Sequence, residues 1–170
     1  FGANLQAYSS VSFFFSLGYM VKIIDYTRPV DLAYKESVNE RQFLAHKHFI
    51  EQKTPLTRQV FNEEDLCEVV RDEKFDVILI GADAVWRVPQ DNCIYFAKWL
   101  FKDKKLQNTS VASISAAHMG NGYMDASADA RQDIHNCLSK FKYITVRDKW
   151  TRDALNRDIF LNKTVVKVIN

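Results

Sequence analysis

The chain has little cysteine: Cys67, Cys93 and Cys137 lie far apart, with no Cys-x-x-Cys pair. That spacing argues against a disulfide framework and leaves buried free thiols in a reducing compartment, here the cytoplasm, as the expectation. A charge excess is also lacking. The 23 basic and 21 acidic residues are interleaved and give a formal net charge of +2, so no surface dedicated to nucleic acid or to anionic membrane is expected. No apolar run approaches the roughly 20 residues that span a bilayer, so neither a membrane span nor a signal peptide is expected from these residues. Glycine is scarce. Phe1-Gly-Ala-Asn-Leu-Gln6 offers one glycine where the dinucleotide fingerprint needs three, so no nicotinamide or flavin cofactor is expected. Repeats, a Ser/His/Asp elbow, a phosphate loop and a metal cluster are missing too. His46-Lys-His48 is the nearest approach to a metal pair. Residues two apart point to different sides of a helix, and without a carboxylate or cysteine partner they read as a solvated or packed pair.

What is present is an alternation of helix and strand signals. Leu5, Tyr8, Val11 and Phe15 recur at helical spacing, with Phe13, Phe14 and Leu17 widening the apolar face, and Gly18 suits the left-handed residue that closes a helix. Val21 to Tyr26 reads as a strand carrying Asp25. Phe43 to Ile50 suggests one amphipathic helix inside a polar stretch. Asn62 followed by Glu63, Glu64 and Asp65 marks a capped helix start, with Leu66, Val69 and Val70 as its buried face. Val77 to Ile80 is an unbroken apolar run, the pattern of a strand covered on both faces in a parallel sheet. Aromatic-rich Cys93 to Phe101 suggests a further helix. Ser110 to Ser115 is a strand of small and β-branched residues. Ile134, Cys137, Leu138 and Phe141 mark a helix, Tyr143 to Val146 a strand, and Val165 to Ile169 the last strand. The sum predicts a Rossmann-like α/β domain over 1–170, with a mostly parallel sheet flanked by helices and right-handed crossovers.

In such folds ligands sit outside the carboxyl ends of the strands. Four strand exits carry polar residues: Asp25; Asp83 with Trp86; His118; and Arg147 with Asp148. One parallel sheet would align all four along one edge. Each residue also has a purely structural reading. Asp83 either meets a substrate or caps the turn after Gly81. Trp86 is either a ligand platform or a core anchor. His118 sits in an Ala/Gly-flanked loop open to function. Arg147 either binds an anion or pairs with Asp148 or Asp83. Asp148 can in addition cap the following helix.

Four segments in register resemble the polysaccharide pyruvyl transferase family. Phe1-Gly-Ala-Asn-Leu-Gln-Ala-Tyr8 is similar to that family's Tyr-Gly-Ala-x-Leu-Gln-Ala-Tyr opening, followed here by Leu17-Gly-Tyr19 and Ile23-Ile-Asp-Tyr26. Phe75-Asp76 through Gly81-Ala-Asp-Ala-Val-Trp-Arg87 resembles Tyr-Asp-x-Phe-Ile-x-Gly-Ser-Asp-Gln-Val-Trp-Asn. Ser113-Ile-Ser-Ala-Ala-His-Met-Gly120 resembles Ser-Tyr-Ala-Ala-Ser-Phe-Gly, and Thr145-Val-Arg-Asp148 resembles Ser-Val-Arg-Glu.

The resemblance implies one half of a two-domain, GT-B-like architecture, with a strand before Phe1 and a second domain after Asn170. It implies transfer of the enolpyruvyl unit of phosphoenolpyruvate to hydroxyls of a sugar in a cell-surface glycan or its precursor. Phosphoenolpyruvate would be a donor substrate rather than a cofactor, and no metal is called for. The principal donor-binding groups would belong to the other half, and a homo-oligomer is compatible with this picture. On this reading Asn4, Asp83, Trp86, Arg87, His118 and Arg147 contact substrate, chiefly on the acceptor side, and His118 and Arg147 are the candidates for catalysis. Ala82, Ala84, Arg87 and His118 stand where the family usually has Ser, Gln, Asn and Ser, which removes hydrogen-bonding groups. Two alternatives therefore accompany the first reading: a GT-B-like transferase using a nucleotide sugar, and a diverged, non-catalytic binding domain.

Overall fold

Helix caps and apolar periods translate into two compact units, residues 1–73 and 74–170. A computed structural model describes residues 2–27, 40–88, 94–120, 123–160 and 167–168. Cys93, Asn170 and the Arg28-Pro29 step lie outside them.

The first unit runs α1 (Gly2–Ser16), β1 (Ile23–Tyr26), α2 (Glu40–Lys53), β2 (Leu56–Val60) and α3 (Glu63–Glu73). Gly18, at φ 86°, takes the left-handed conformation expected of it, and the Gly18 and Tyr19 amides donate back to the Phe15 and Phe14 carbonyls. Asn62 caps α3 through its Oδ1, which accepts from the Asp65 amide at 2.9 Å. Leu66, Val69 and Val70 are buried as expected. β1 pairs parallel with β2, from Ile23↔Leu56 to Tyr26↔Val60. β2 was not legible: Thr57, Arg58 and Gln59 interrupt its apolar pattern, and pairing rather than propensity makes it a strand. The apolar face of α1 also differs from expectation. It meets α2 through the Tyr8–Phe49 ring pair at 5.9 Å, yet only Val11 of this helix is buried, and Phe13 and Phe15 are more than half exposed. Apolar residues surround this helix on several sides, and one neighbouring helix covers only one of them.

The second unit contains β3 (Val77–Asp83), a 3₁₀ turn (Ile94–Phe96), α4 (Lys98–Lys102), a second 3₁₀ turn (Lys104–Leu106), β4 (Ser110–Ala116), α5 (Ala128–Leu138), β5 (Thr145–Val146), α6 (Lys149–Ala154), a wide π-type turn (Leu155–Ile159) and β6 (Lys167–Val168). The sheet order is β3-β4-β5-β6, and every neighbouring pair is parallel. This bears out the alternating α/β pattern. One expectation is corrected. Ile78 and Ile80 are buried, but Val77 and Leu79 are 50% and 41% exposed, so β3 is covered on one face. It is the end strand of its sheet, and its pleat sends alternate residues to opposite sides.

Gly81 sets the spacing between β3 and β4. A Cβ built there would lie 2.3 Å from the Ile114 carbonyl oxygen and 2.8 Å from Ile114 Cγ2. Backbone cannot yield as a flexible side chain can. Gly81→Ala is therefore expected to lower unfolding stability by about 1–3 kcal/mol, the usual cost of overpacking, measured by urea denaturation. An unchanged midpoint would show that the strands separate freely.

Among the described residues no helix is long and apolar enough to cross a membrane. Cys67 is half-buried and Cys137 buried.

Candidate functional site

Three of the four polar strand exits belong to the β3-β4-β5-β6 sheet, where parallel pairing brings the carboxyl ends of β3, β4 and β5 side by side. Asp25 ends β1 in the other sheet; burial raises its carboxyl pKa, against the opposing pull of Lys47.

Backbone hydrogen bonds lace the three exits together. The Asp83 carbonyl accepts from the Val85 and Ala117 amides at 2.8 and 2.9 Å. The Trp86 amide donates to the Ala117 carbonyl, and the Arg147 amide to the Ala116 carbonyl. Into this lattice the chain builds unusual local geometry. Asp83, Ser115 and Met119 have φ of 82°, 51° and 43°, a region that costs non-glycine residues roughly 1–3 kcal/mol each and that concentrates at functional sites. β4 also carries an extra residue relative to β5. Ala112 is opposite Tyr143 and Ala116 opposite Val146, four steps on one strand against three on the other. The bulge places Ser115 in its left-handed conformation, and side chains replace the ladder. Ser113 Oγ accepts from the Thr145 amide at 3.0 Å, and Thr145 Oγ1 donates to the Ser113 carbonyl at 2.7 Å. Bulges of this kind turn side chains at sheet rims and beside active sites.

The side chains at this edge divide into an exposed set and a buried set. Asp83 and Arg147 are exposed and face each other, with Arg147 Nη1 donating to Asp83 Oδ1 at 3.4 Å. Their side chains keep 54% and 41% of their accessible surface. An ion pair so solvated contributes at most about 1 kcal/mol to stability; both charges remain free to meet a ligand. Asp148 approaches the Arg147 guanidinium only to 4.0 Å and instead caps α6, accepting from the Thr151 amide at 2.7 Å, as the sequence indicates.

Trp86 belongs to the buried set. It is wholly inaccessible, stacks on Phe96 with ring centres 6.0 Å apart, meets Phe141 edge to face, and donates its indole N–H to the Tyr95 carbonyl at 3.0 Å. Of its two readings, this geometry is that of the core anchor. His118 is buried as well, at 2% exposure. Its amide donates to Thr151 Oγ1, and its ring lies against Tyr123 and Trp150 at 5.4 and 6.2 Å. Among the described residues neither imidazole nitrogen has a hydrogen-bond partner, nor has the Tyr123 hydroxyl. Burial lowers the His118 pKa, against the opposing fields of Asp148 and Asp158, and pushes the Tyr123 phenol far above its ordinary range. Asp158 sits in the wide turn after α6. It accepts from the Tyr123 amide at 3.1 Å and from Arg157 Nη2 at 2.8 Å. The Arg157 hydrogen bonds hold its carboxyl below the usual range.

No hydrogen bond among the described residues joins the Asn4 or Arg87 side chain to these strand exits. Asn4, on α1 of the first unit, donates to the His46 carbonyl at 3.4 Å and so ties α1 to α2. Arg87 is exposed in the turn after β3, where its amide reaches the Ala84 carbonyl at 3.4 Å. Trp150, Tyr123 and Asp158 escaped the sequence reading. Trp150 left one trace, an indole isolated among charged residues in Arg147-Asp-Lys-Trp-Thr-Arg152.

The model of the polysaccharide pyruvyl transferase family matches residues 1–169. The chain belongs to that family. No curated protein and no solved structure matches it. Membership agrees with the four resembling segments, and it places the chain in a family of transferases. Three of those segments are the parts of the second unit that carry Asp83, His118 and Arg147. Among the described residues, no group of three or more His, Cys, Asp or Glu side chains is arranged to hold a metal ion.

The buried imidazole makes this pyruvyl transferase relative sensitive to acid. With its folded pKa depressed by burial, His118 takes up a proton less readily in the native state than in the unfolded chain, which binds one below about pH 6.5. Stability then falls as pH drops through the ordinary histidine range and is unaffected above it, because the unfolded state binds more protons there. Urea unfolding at about pH 7.5 and about pH 5.5 is expected to show a larger loss for the wild type than for His118→Gln. Equal losses would show that the imidazole is solvated.

Proposed function

We propose that this protein transfers the pyruvyl unit of phosphoenolpyruvate to a sugar of a cell-surface glycan or its precursor, and that the carboxyl edge of β3, β4 and β5 forms part of its substrate cleft. The observation that carries the reading is the Asp83–Arg147 pair, exposed on a strained and bulged edge, in a chain matched over residues 1–169 by the pyruvyl transferase family.

The chemistry needs groups of these types. Protonation of the methylene carbon of phosphoenolpyruvate gives a methyl group and an oxocarbenium-like centre at the neighbouring carbon. One sugar hydroxyl attacks that centre and gives up its proton. Phosphate then leaves, and a second hydroxyl of the same sugar closes the ketal and loses its own proton. Arg147 supplies a fixed cation for the donor's carboxylate or phosphate oxygens, where charge-assisted hydrogen bonds are strongest. Asp83 accepts a hydrogen bond from an acceptor hydroxyl and is placed to take its proton. His118 acts as a positioning residue: its amide and ring join the β4 exit to α6 and Tyr123. Further donor-binding groups belong to a second domain in a GT-B-like arrangement, consistent with a fold of parallel strands and flanking helices.

Incubation of the intact protein with phosphoenolpyruvate and a panel of glycan acceptors is expected to release inorganic phosphate only when a suitable acceptor is present. Absence of phosphate release with every acceptor, together with no heat of phosphoenolpyruvate binding in calorimetry, would contradict the proposal. Saturable binding of a nucleotide sugar in its place would point to a glycosyl donor.

A further inference from the structure

Of the three tryptophans in the chain, Trp86 and Trp99 are 0% and 4% exposed, whereas Trp150 is 60% exposed. Exposure of so large an apolar side chain forgoes about 1.5–3 kcal/mol of burial. Trp150 is nevertheless held in place. Its indole N–H donates to the Gly120 carbonyl at 3.2 Å, and its ring stands at 89° to that of His118 with centres 6.2 Å apart. Its neighbours in sequence are also anchored. Asp148 caps the helix, and Thr151, wholly buried, accepts from the His118 amide. The result is a fixed aromatic surface whose one polar atom is already engaged.

The position of this surface relative to the charged pair indicates what it binds. Trp150 follows Arg147 by three residues across the β5–α6 junction, and Arg147 reaches Asp83 on β3. One strand exit therefore presents an aromatic ring, a guanidinium and, through it, a carboxylate. A pyranose is a ligand of matching chemistry. One face of its ring carries C–H groups that pack on an indole, and its rim carries hydroxyls that hydrogen-bond to Arg and Asp side chains. A flat anion would need a second cation in place of the indole, and a peptide would need free backbone partners.

We infer that Trp150 is the stacking platform for the pyranose ring of the acceptor sugar, with Asp83 at its hydroxyl-bearing rim and Arg147 turned to the donor's anionic groups. The inference rests on the proposed transferase reading for its setting, but the fluorescence arm of its test does not. Because Trp86 and Trp99 are buried with their N–H groups hydrogen-bonded, quenching of the intact protein's fluorescence by acrylamide reports on Trp150. Titration with the methyl pyranosides of galactose, glucose, mannose and N-acetylglucosamine is expected to protect the fluorophore saturably with at least one of them. Trp150→Ala removes the quenchable signal. Trp150→Phe, which keeps a ring, retains saccharide binding in calorimetry. In the transfer assay Trp150→Ala is expected to raise the acceptor KM by roughly tenfold, the scale of one aromatic contact, with the KM for phosphoenolpyruvate unchanged.

Failure of all four saccharides to protect Trp150 would overturn the inference, as would an acceptor KM unaffected in Trp150→Ala. Saccharide protection without any phosphate release would keep the sugar platform and reject the pyruvyl donor. Phosphate release with no effect of Trp150→Ala would keep the reaction and reject the platform.

Discussion

Replacement of Arg147 by alanine is expected to lower kcat/KM for pyruvyl transfer by roughly 10- to 100-fold, the value of one or two charge-assisted hydrogen bonds at about 1.5–3 kcal/mol. The unfolding midpoint should barely move. The guanidinium is 41% exposed, and its contact with Asp83 is a 3.4 Å solvated pair of the kind that contributes at most about 1 kcal/mol. The combination is diagnostic. A residue that serves only the fold would lose stability along with activity, whereas a substrate cation loses activity alone. Steady-state kinetics on phosphate release, paired with urea denaturation of the same preparations, separates the two cases. Arg147→Lys keeps the charge without the planar fork and should fall between wild type and alanine. Equal activity in Arg147→Ala and wild type would remove this edge of the sheet from the reaction.

Trp86→Ala should have the opposite signature. The indole is inaccessible, stacks on Phe96 and meets Phe141. Truncation leaves a large cavity and removes the indole hydrogen bond to the Tyr95 carbonyl, with an expected loss of about 3–5 kcal/mol. That is a large share of the roughly 5–15 kcal/mol that stabilises a domain, so the variant should approach unfolding in mild urea. Trp86→Phe keeps the ring packing but not the N–H bond to Tyr95 and should lose about 1–3 kcal/mol. A loss below about 1 kcal/mol in Trp86→Ala would show that the core closes without the indole. Any activity lost in these variants would follow the fraction unfolded.

These two residues also show what the sequence can and cannot disclose. Gly81, Asp83 and Trp86 stand within six positions and belong to one motif, yet they do three different things: close strand approach, exposed charge and core anchoring. The motif locates the strand exit but does not say which side chains turn outward. That choice was made by the tight turn at Asp83 and by partners distant in sequence, Phe96 and Phe141. Arg147 was legible because it ends a strand with Asp148 beside it as the helix cap. His118 was legible as a strand-exit residue but not as a buried one, because its burial depends on Tyr123 and Trp150, brought to it only by folding. The bulge in β4 left no mark at all; Ser113 and Thr145 are ordinary strand residues, and only their pairing makes the irregularity. α5 was legible from periodicity and α6 from its Asp148 cap, whereas the stretch read as one helix over Cys93–Phe101 holds a 3₁₀ turn and the short α4, with Ala97 at φ 55° between them. β2 was not, since a short strand with polar inner positions is stabilised by its neighbour rather than by its own residues.

The most direct measurement follows the label rather than the phosphate. Intact wild-type protein and its Arg147→Ala variant would be incubated with phosphoenolpyruvate carrying isotopic label in the methylene carbon and with the acceptor that supports phosphate release. The product glycan is expected to carry the label as the methyl group of a ketal, made rapidly by wild type and slowly by the variant. A glycan without label, or labelled at the same rate by both proteins, would contradict the assignment of this strand edge to pyruvyl transfer.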